Sequence, residues 1–210
     1  MCVWPRLAAF ARGRLPPGIR VAAVADFPAG SGEVERALAD VTTIAAAGAQ
    51  EVDLVLPWQR LMAGDEAACV AVLQAVRRES AGLTLKVILE TGELKTRALV
   101  ERAARLAIEA GADFIKTGTG KVPVGATLQA AGWMLGVIVA DAYARQRVGF
   151  KAAGGVRTVA DAAAYLSLAE HLLGPAMLVP QRFRFGASGL LEDIEAVLSG
   201  RVPGPGAAGY

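Results

Sequence analysis

At 210 residues and 54% hydrophobic composition, the chain is long enough to bury one sizeable core. A net charge of +2, with the basic residues scattered, argues against nucleic acid as a partner, and the apolar runs are too short and too broken by charge and glycine to cross a bilayer. Two cysteines, Cys2 and Cys69, make no disulfide framework or zinc pattern, and Met1-Cys2-Val3-Trp4-Pro5 lacks the basic and apolar blocks of a signal peptide, so a reducing cytoplasm is expected.

In chain order, a short apolar run at Cys2-Val3-Trp4 is followed by strand-like segments at 20–27, 51–57, 83–91, 113–119, 148–153 and 182–187. Ala-rich helical patterns lie between them at 33–47, 65–80, 93–110, 126–145 and 158–173. Strands alternating with helices of this length predict a parallel sheet wrapped by helices, and the strands are apolar on both faces, as such a sheet requires. A weak internal repeat, AAAGAQEVDLV and AIEAGADFIKT, ends a helix at Gly48 or Gly111 and then starts a strand. Both glycines suit the left-handed position that closes a helix. The 63-residue spacing between them (111 − 48) covers two βα units of about 31 residues, near the repeat of a (β/α)₈ barrel. A doubly wound open sheet is the competitor; the barrel is preferred because no strand is followed by a dinucleotide glycine fingerprint. One domain over 1–200 is expected, with 201–210 as a flexible tail rich in Pro, Gly and Ala.

The basic residues are unevenly chosen: 17 are Arg and only five are Lys, namely Lys86, Lys95, Lys116, Lys121 and Lys151. Arg cannot lose its proton, whereas a buried Lys can, and only the free amine is a nucleophile. Lys95 reads as surface charge at a polar helix start. Four strands each hold one charge among apolar neighbours: Asp53, Lys86, Lys116 and Lys151. Unpaired buried charge costs several kcal/mol, so these groups must meet one another or a ligand. A structural ion pair of Asp53 with Lys86 is the plain alternative, but three lysines for one acid point to lysine chemistry. A lysine of pKa ~10.4 opposes its neutral form at pH 7 by roughly 4.6 kcal/mol, which burial and a neighbouring ammonium can largely offset. Lys116 and Lys151, on consecutive strands, are placed for one to activate the other.

The loop Gly118-Thr119-Gly120-Lys121 is not a P-loop, since Val122 stands where Ser or Thr belongs, yet it offers the N–H groups of Thr119 and Lys121 at a strand's end. The stretches 152–157 and 185–194 likewise end strands in small residues before a helix, with Ser188 as a good N-cap, so a phosphate site formed with Lys121 is the better reading than turn filler. The single histidine, His171, sits in a helix and reads as structural or solvent-facing. With one histidine, no zinc-ligand cluster and no Ser-His-Asp or Cys-His arrangement can form.

Taken together, CVWP, EVDLVLP, LKVILETGEL, ADFIKTGTGK, GFKAAGGVRT and RFGAS resemble, in order and over nearly the whole chain, the deoxyribose-phosphate aldolase family. The resemblance implies a class I, Schiff-base aldolase that cleaves 2-deoxy-D-ribose 5-phosphate to glyceraldehyde 3-phosphate and acetaldehyde, with no metal or organic cofactor. It implies that Lys116 forms the imine, that Lys151 is the second active-site lysine, that Asp53 handles protons with Lys151 through water, and that Lys86 pairs with Asp53. Gly154, Gly155, Ser188, Gly189, Thr119 and Lys121 fall on the substrate side, mostly at phosphate positions. The terminal Tyr210 is similar to a tail tyrosine that serves as a proton relay in some family members.

This sequence departs from the family in having Ala152 where Pro is common after the second lysine, and Gly189 in place of the second serine of a pair. It also starts where the family's second strand starts, so about seven strands are expected, with the first strand missing: either the start lies upstream or the barrel closes another way. Strand edges left bare would leave room for a homo-oligomer. Two other readings stay open. One is a Schiff-base aldolase with a different acceptor aldehyde, and the other is an inactive sugar-phosphate-binding copy.

Overall fold

The computed structural model describes residues 1–201. The terminal residue Tyr210, and all but the first residue of the expected tail, lie outside the described residues. Seven strands form one sheet in sequential order: β1 (Cys2–Val3), β2 (Ala22–Ala25), β3 (Glu51–Val55), β4 (Thr84–Ile88), β5 (Phe114–Lys116), β6 (Gly149–Ala153) and β7 (Phe183–Gly186). The β1–β2, β2–β3, β3–β4 and β6–β7 pairs are parallel. Every predicted strand is present, each shorter than its run by one or more residues at one or both ends.

The long helices are α2 (Val34–Ala46), α4 (Glu66–Glu79), α6 (Arg97–Glu109), α7 (Leu128–Ala140), α9 (Val159–Leu173) and α10 (Leu190–Leu198), and shorter ones are α1 (Ala8–Arg14), α3 (Trp58–Met62), α5 (Thr91–Leu94) and α8 (Ala144–Arg147). Gly48 and Gly111 follow α2 and α6 at φ 69° and 87°, the left-handed closure that their place in the sequence predicts. Two predicted helices are each split in two. The 93–110 pattern breaks at Lys95, where φ is 59°, so Lys95 stands between α5 and α6 and not at a helix start. The 126–145 pattern breaks at Asp141, whose extended backbone ends α7 and whose carboxylate accepts from the Ala144 N–H to cap α8.

Packing divides the chain into two compact units, Met1–Leu89 with Arg102–Ile115, and Glu90–Glu101 with Lys116 onward. In the first, α2 packs on β2 and β3 and against α4, and Ala37, Val41 and Ile44 of α2, Cys69, Val72, Leu73 and Val76 of α4, and the strand residues Val52, Leu54, Leu85 and Val87 are all buried. Arg77 on α4 reaches the carbonyls of Ser80, Leu83 and Gly111 and the carboxylate of Asp113, which also accepts from the Leu85 N–H. That web holds β5's entry beside β4. In the second unit, α7 and α9 pack together. Arg182 does for β6 and β7 what Arg77 does for β5, donating to the carbonyls of Arg145, Gln146 and Val148. Both arginines lie at strand starts, so the opposite strand ends are left for other work. Among the described residues, no helix is long and apolar enough to cross a membrane.

Candidate active site

In the first unit, Asp53 and Lys86 are register partners on β3 and β4, so their side chains leave the sheet on one face. The Lys86 ammonium is 2.6 Å from Asp53 Oδ1 and 2.7 Å from Glu51 Oε2, and all three residues are buried. The i, i+2 spacing of Glu51 and Asp53 puts both carboxylates on that face. The expectation of one acid among three lysines is therefore corrected: Lys86 is held between two acids. Arg20 adds a contact of 3.4 Å to Glu51, and the Cys2 thiol lies 3.7 Å from Asp53 Oδ2. Glu51 escapes a reading of the sequence because an acid at the start of a strand looks like a solvated edge. The usable signal was its two-residue offset from Asp53.

In the second unit, Lys116 is the last residue of β5 and Lys151 sits mid-strand on β6, both buried. Thr117, next after Lys116, ties the two strands: its N–H donates to the Lys151 carbonyl at 3.2 Å, and its hydroxyl bridges the carbonyl and N–H of Ala153, each at 2.8 Å. Gly186 on β7 is the register partner of Ala153, and a Cβ added there would lie 2.8 Å from Ala153 Cβ and 3.1 Å from Lys151 Cε. The Lys151 stem thus runs over a position that only glycine leaves open. Gly186→Ala is expected to crowd Ala153 and push the Lys151 side chain aside, lowering both the melting temperature and turnover per folded molecule, the latter by about 10- to 100-fold, checked by kcat alongside a thermal melt.

The glycine loops gather at the same strand ends. Gly154 and Gly155 follow β6, and Gly154 lies so close to Gly125 that a Cβ on Gly125 would be 2.4 Å from the Gly154 carbonyl. Asp161 accepts from the Arg157 and Thr158 N–H groups, and Thr158 caps α9 in return. The start of α9 is joined to α10 by the Val159 N–H, which donates to Asp193 at 2.7 Å. Ser188 is not the N-cap that its position in the sequence suggests. Gly189 holds that place with no side-chain cap, and Ser188, one residue ahead, is exposed.

The loop 118–121 also differs from expectation, because its N–H groups are already engaged. Thr119 N–H donates to Glu90 Oε1 at 3.0 Å, its hydroxyl donates to Glu90 Oε2 at 2.6 Å, and Lys121 N–H donates to the Thr119 hydroxyl at 3.0 Å. Lys121 itself is exposed. Glu90 is thus a buried acid that the sequence did not announce. Burial pushes its carboxyl above the usual range and Glu93 pushes the same way, while the Thr119 hydroxyl and N–H and the Lys116 ammonium pull it back. His171 lies exposed on α9, and among the described residues no group of three or more His, Cys, Asp or Glu side chains is arranged to hold a metal.

The alternating parallel strands, the buried lysines on β5 and β6 and the glycine loops at the same strand ends coincide with a match to a family model. That model, described as DeoC/LacD family aldolase, covers residues 1–192. The chain belongs to this aldolase family. A deoxyribose-phosphate aldolase of Agrobacterium fabrum strain C58 is 49% identical over 213 residues, spanning 100% of this chain and 81% of the relative. Among solved structures, the apo form of a protein assigned as deoxyribose-phosphate aldolase from Toxoplasma gondii ME49 superposes with a TM-score of 0.86 at 27% identity, over 97% of this chain and 82% of that one. One with the same assignment from Coccidioides immitis gives 0.82 at 26% identity, over 94% and 72%. The aldolase fold is α/β of the barrel type, with seven parallel-sheet strands here, as the sequence alternation predicts.

Proposed function

We propose that this aldolase cleaves 2-deoxy-D-ribose 5-phosphate to glyceraldehyde 3-phosphate and acetaldehyde through a lysine imine. The observation that carries the reading is the pair of buried lysines on adjacent strands, Lys116 and Lys151, with glycine loops at the same strand ends, in a chain 49% identical to a deoxyribose-phosphate aldolase. Lys116 adds its neutral amine to the aldehyde carbon of the open-chain sugar, and loss of water leaves the iminium. Deprotonation of the C3 hydroxyl breaks the C2–C3 bond, its electrons passing into the iminium to give an enamine as glyceraldehyde 3-phosphate departs. Protonation of the enamine and addition of water release acetaldehyde and restore the amine. Lys151 keeps positive charge near the imine, Asp53 takes part in the proton transfers, and Lys86 holds Asp53 in place. Gly154, Gly155, Ser188, Gly189 and Lys121 bind the phosphate, with Thr119 shaping their loop; Tyr210 is a proton relay in this reading. Residues 1–200 act as one catalytic domain, in the cytoplasm, and copies associate through the strand edges that the missing first strand leaves bare.

The test is release of glyceraldehyde 3-phosphate from deoxyribose 5-phosphate, expected to proceed in the presence of a chelator. Absence of release, with imine formation from acetaldehyde intact, would replace this reading by an aldolase with another acceptor. One observation favours that second reading: Gly189 lacks the hydroxyl common there, and a Cβ at this position meets nothing within 4 Å. Gly189→Ser therefore fits without strain. Under the first reading it should lower KM for the phosphorylated substrate by about 3- to 10-fold, one added hydrogen bond to a charged group, and leave kcat alone. Under the second it should leave KM unchanged.

A further inference from the structure

Glu90 has no part in the reaction as set out above, yet its buried carboxyl is gripped at both oxygens. It stands two residues past β4, with left-handed backbone at φ 58° and ψ 55°, and its side chain is buried. A buried carboxylate in a conformation that disfavours side chains persists only where the surroundings hold it. Both of its oxygens are used: Oε1 accepts from the Thr119 N–H and Oε2 from the Thr119 hydroxyl. Oε1 also lies over Gly118, where an added Cβ would come within 2.9 Å of it. The next residue, Thr91, donates its N–H to the Thr117 carbonyl at 2.9 Å. Glu90 and Thr91 thus clamp residues 117–119, which begin directly after Lys116.

Resting on the imine reading of Lys116, we propose that Glu90 is a positioning residue for the reaction, fixing the loop that leaves Lys116 and placing a negative charge within electrostatic reach of that lysine. The charged groups around Glu90 are Lys116 of β5, which draws its carboxyl down, and Glu93 of α5, which drives it up; burial remains the largest influence, upward. Above its own midpoint Glu90 is an anion, and an anion near Lys116 favours the ammonium. The same carboxylate that orders the loop therefore restrains the nucleophile, and Lys151 works against it.

The sign of the effect follows. Glu90→Gln keeps an oxygen for the Thr119 N–H but removes the charge, so Lys116 should lose its proton at lower pH. We expect its titration midpoint, followed by NMR on the ε-methylene of isotope-labelled lysine in the unliganded protein, to fall by about half a unit or more. Glu90→Ala should move the midpoint in the same direction and, unlike Gln, also abolish slow hydrogen exchange of the Thr119 amide. A purely structural Glu90 would leave the midpoint where it is in both variants, and that result would overturn the proposal, as would unchanged Thr119 exchange in Glu90→Ala. Neither readout uses catalysis. If the midpoint shifts while the wild type releases nothing from deoxyribose 5-phosphate, the substrate assignment fails and the role of Glu90 stands.

Discussion

Lys116→Arg is expected to lower turnover by on the order of 10⁴-fold or more, the scale of removing a covalent nucleophile. The guanidinium preserves the positive charge and most of the length of the side chain, so the buried end of β5 keeps its charge balance. It cannot give up a proton at any accessible pH and so never offers a nucleophilic lone pair. Folding should survive, measured by an unchanged thermal melt within a few degrees. Borohydride added with acetaldehyde should fix a two-carbon adduct on the wild-type peptide that contains Lys116, and none on the variant. An adduct on Lys151 in the wild type would reverse the assignment of the two lysines, which differ in the structure chiefly in place. Lys116 ends its strand beside a loop, while Lys151 lies mid-strand with its stem over Gly186.

Lys86→Met is expected to be the most destabilising single change in the first unit. The ammonium lies 2.6 Å from Asp53 and 2.7 Å from Glu51, and neither acid has appreciable contact with solvent. Removing it leaves two buried carboxylates facing each other, and breaking a buried pair in this way costs about 3–5 kcal/mol. For a chain of this size that corresponds to a fall in Tm of roughly 10 °C. The deficit should shrink at acid pH. Without the lysine, repulsion and burial favour the protonated acids in the folded state, so the fold takes up protons there and loses stability as pH rises. Melts at pH 5 and pH 8 give the comparison. A variant as stable as the wild type at pH 8 would show that the two carboxylates find other neutralisation. If activity per folded molecule then stays at the wild-type level, the Asp53–Lys86 pair is structural; a fall of 10²-fold or more ties it to proton transfer.

Much of this was legible in the order of residues. The strand runs, the helix-closing glycines Gly48 and Gly111, and the isolated charges at 53, 86, 116 and 151 are local signals, because periodicity, caps and the cost of burying a charge act within a few residues. The breaks at Lys95 and Asp141 were not legible, since each interrupts a pattern that remains helical on both sides. Asp141 reveals itself as a cap only through its bond to Ala144.

The sequence by itself determined the alternation of strand and helix, the family, and the presence of ionisable groups in strands that must be covered. Only the tertiary structure decided which of those groups meet. Lys86 finds Glu51 as well as Asp53, Thr117 grips Ala153 across 36 residues, and Glu90 takes the Thr119 N–H that looked available for an anion across 29. These partnerships depend on strand register and on how far each strand runs before it turns. A shift of one residue would send Glu51, Asp53 and Lys86 to the opposite face of their strands, and no local pattern in the chain records that choice.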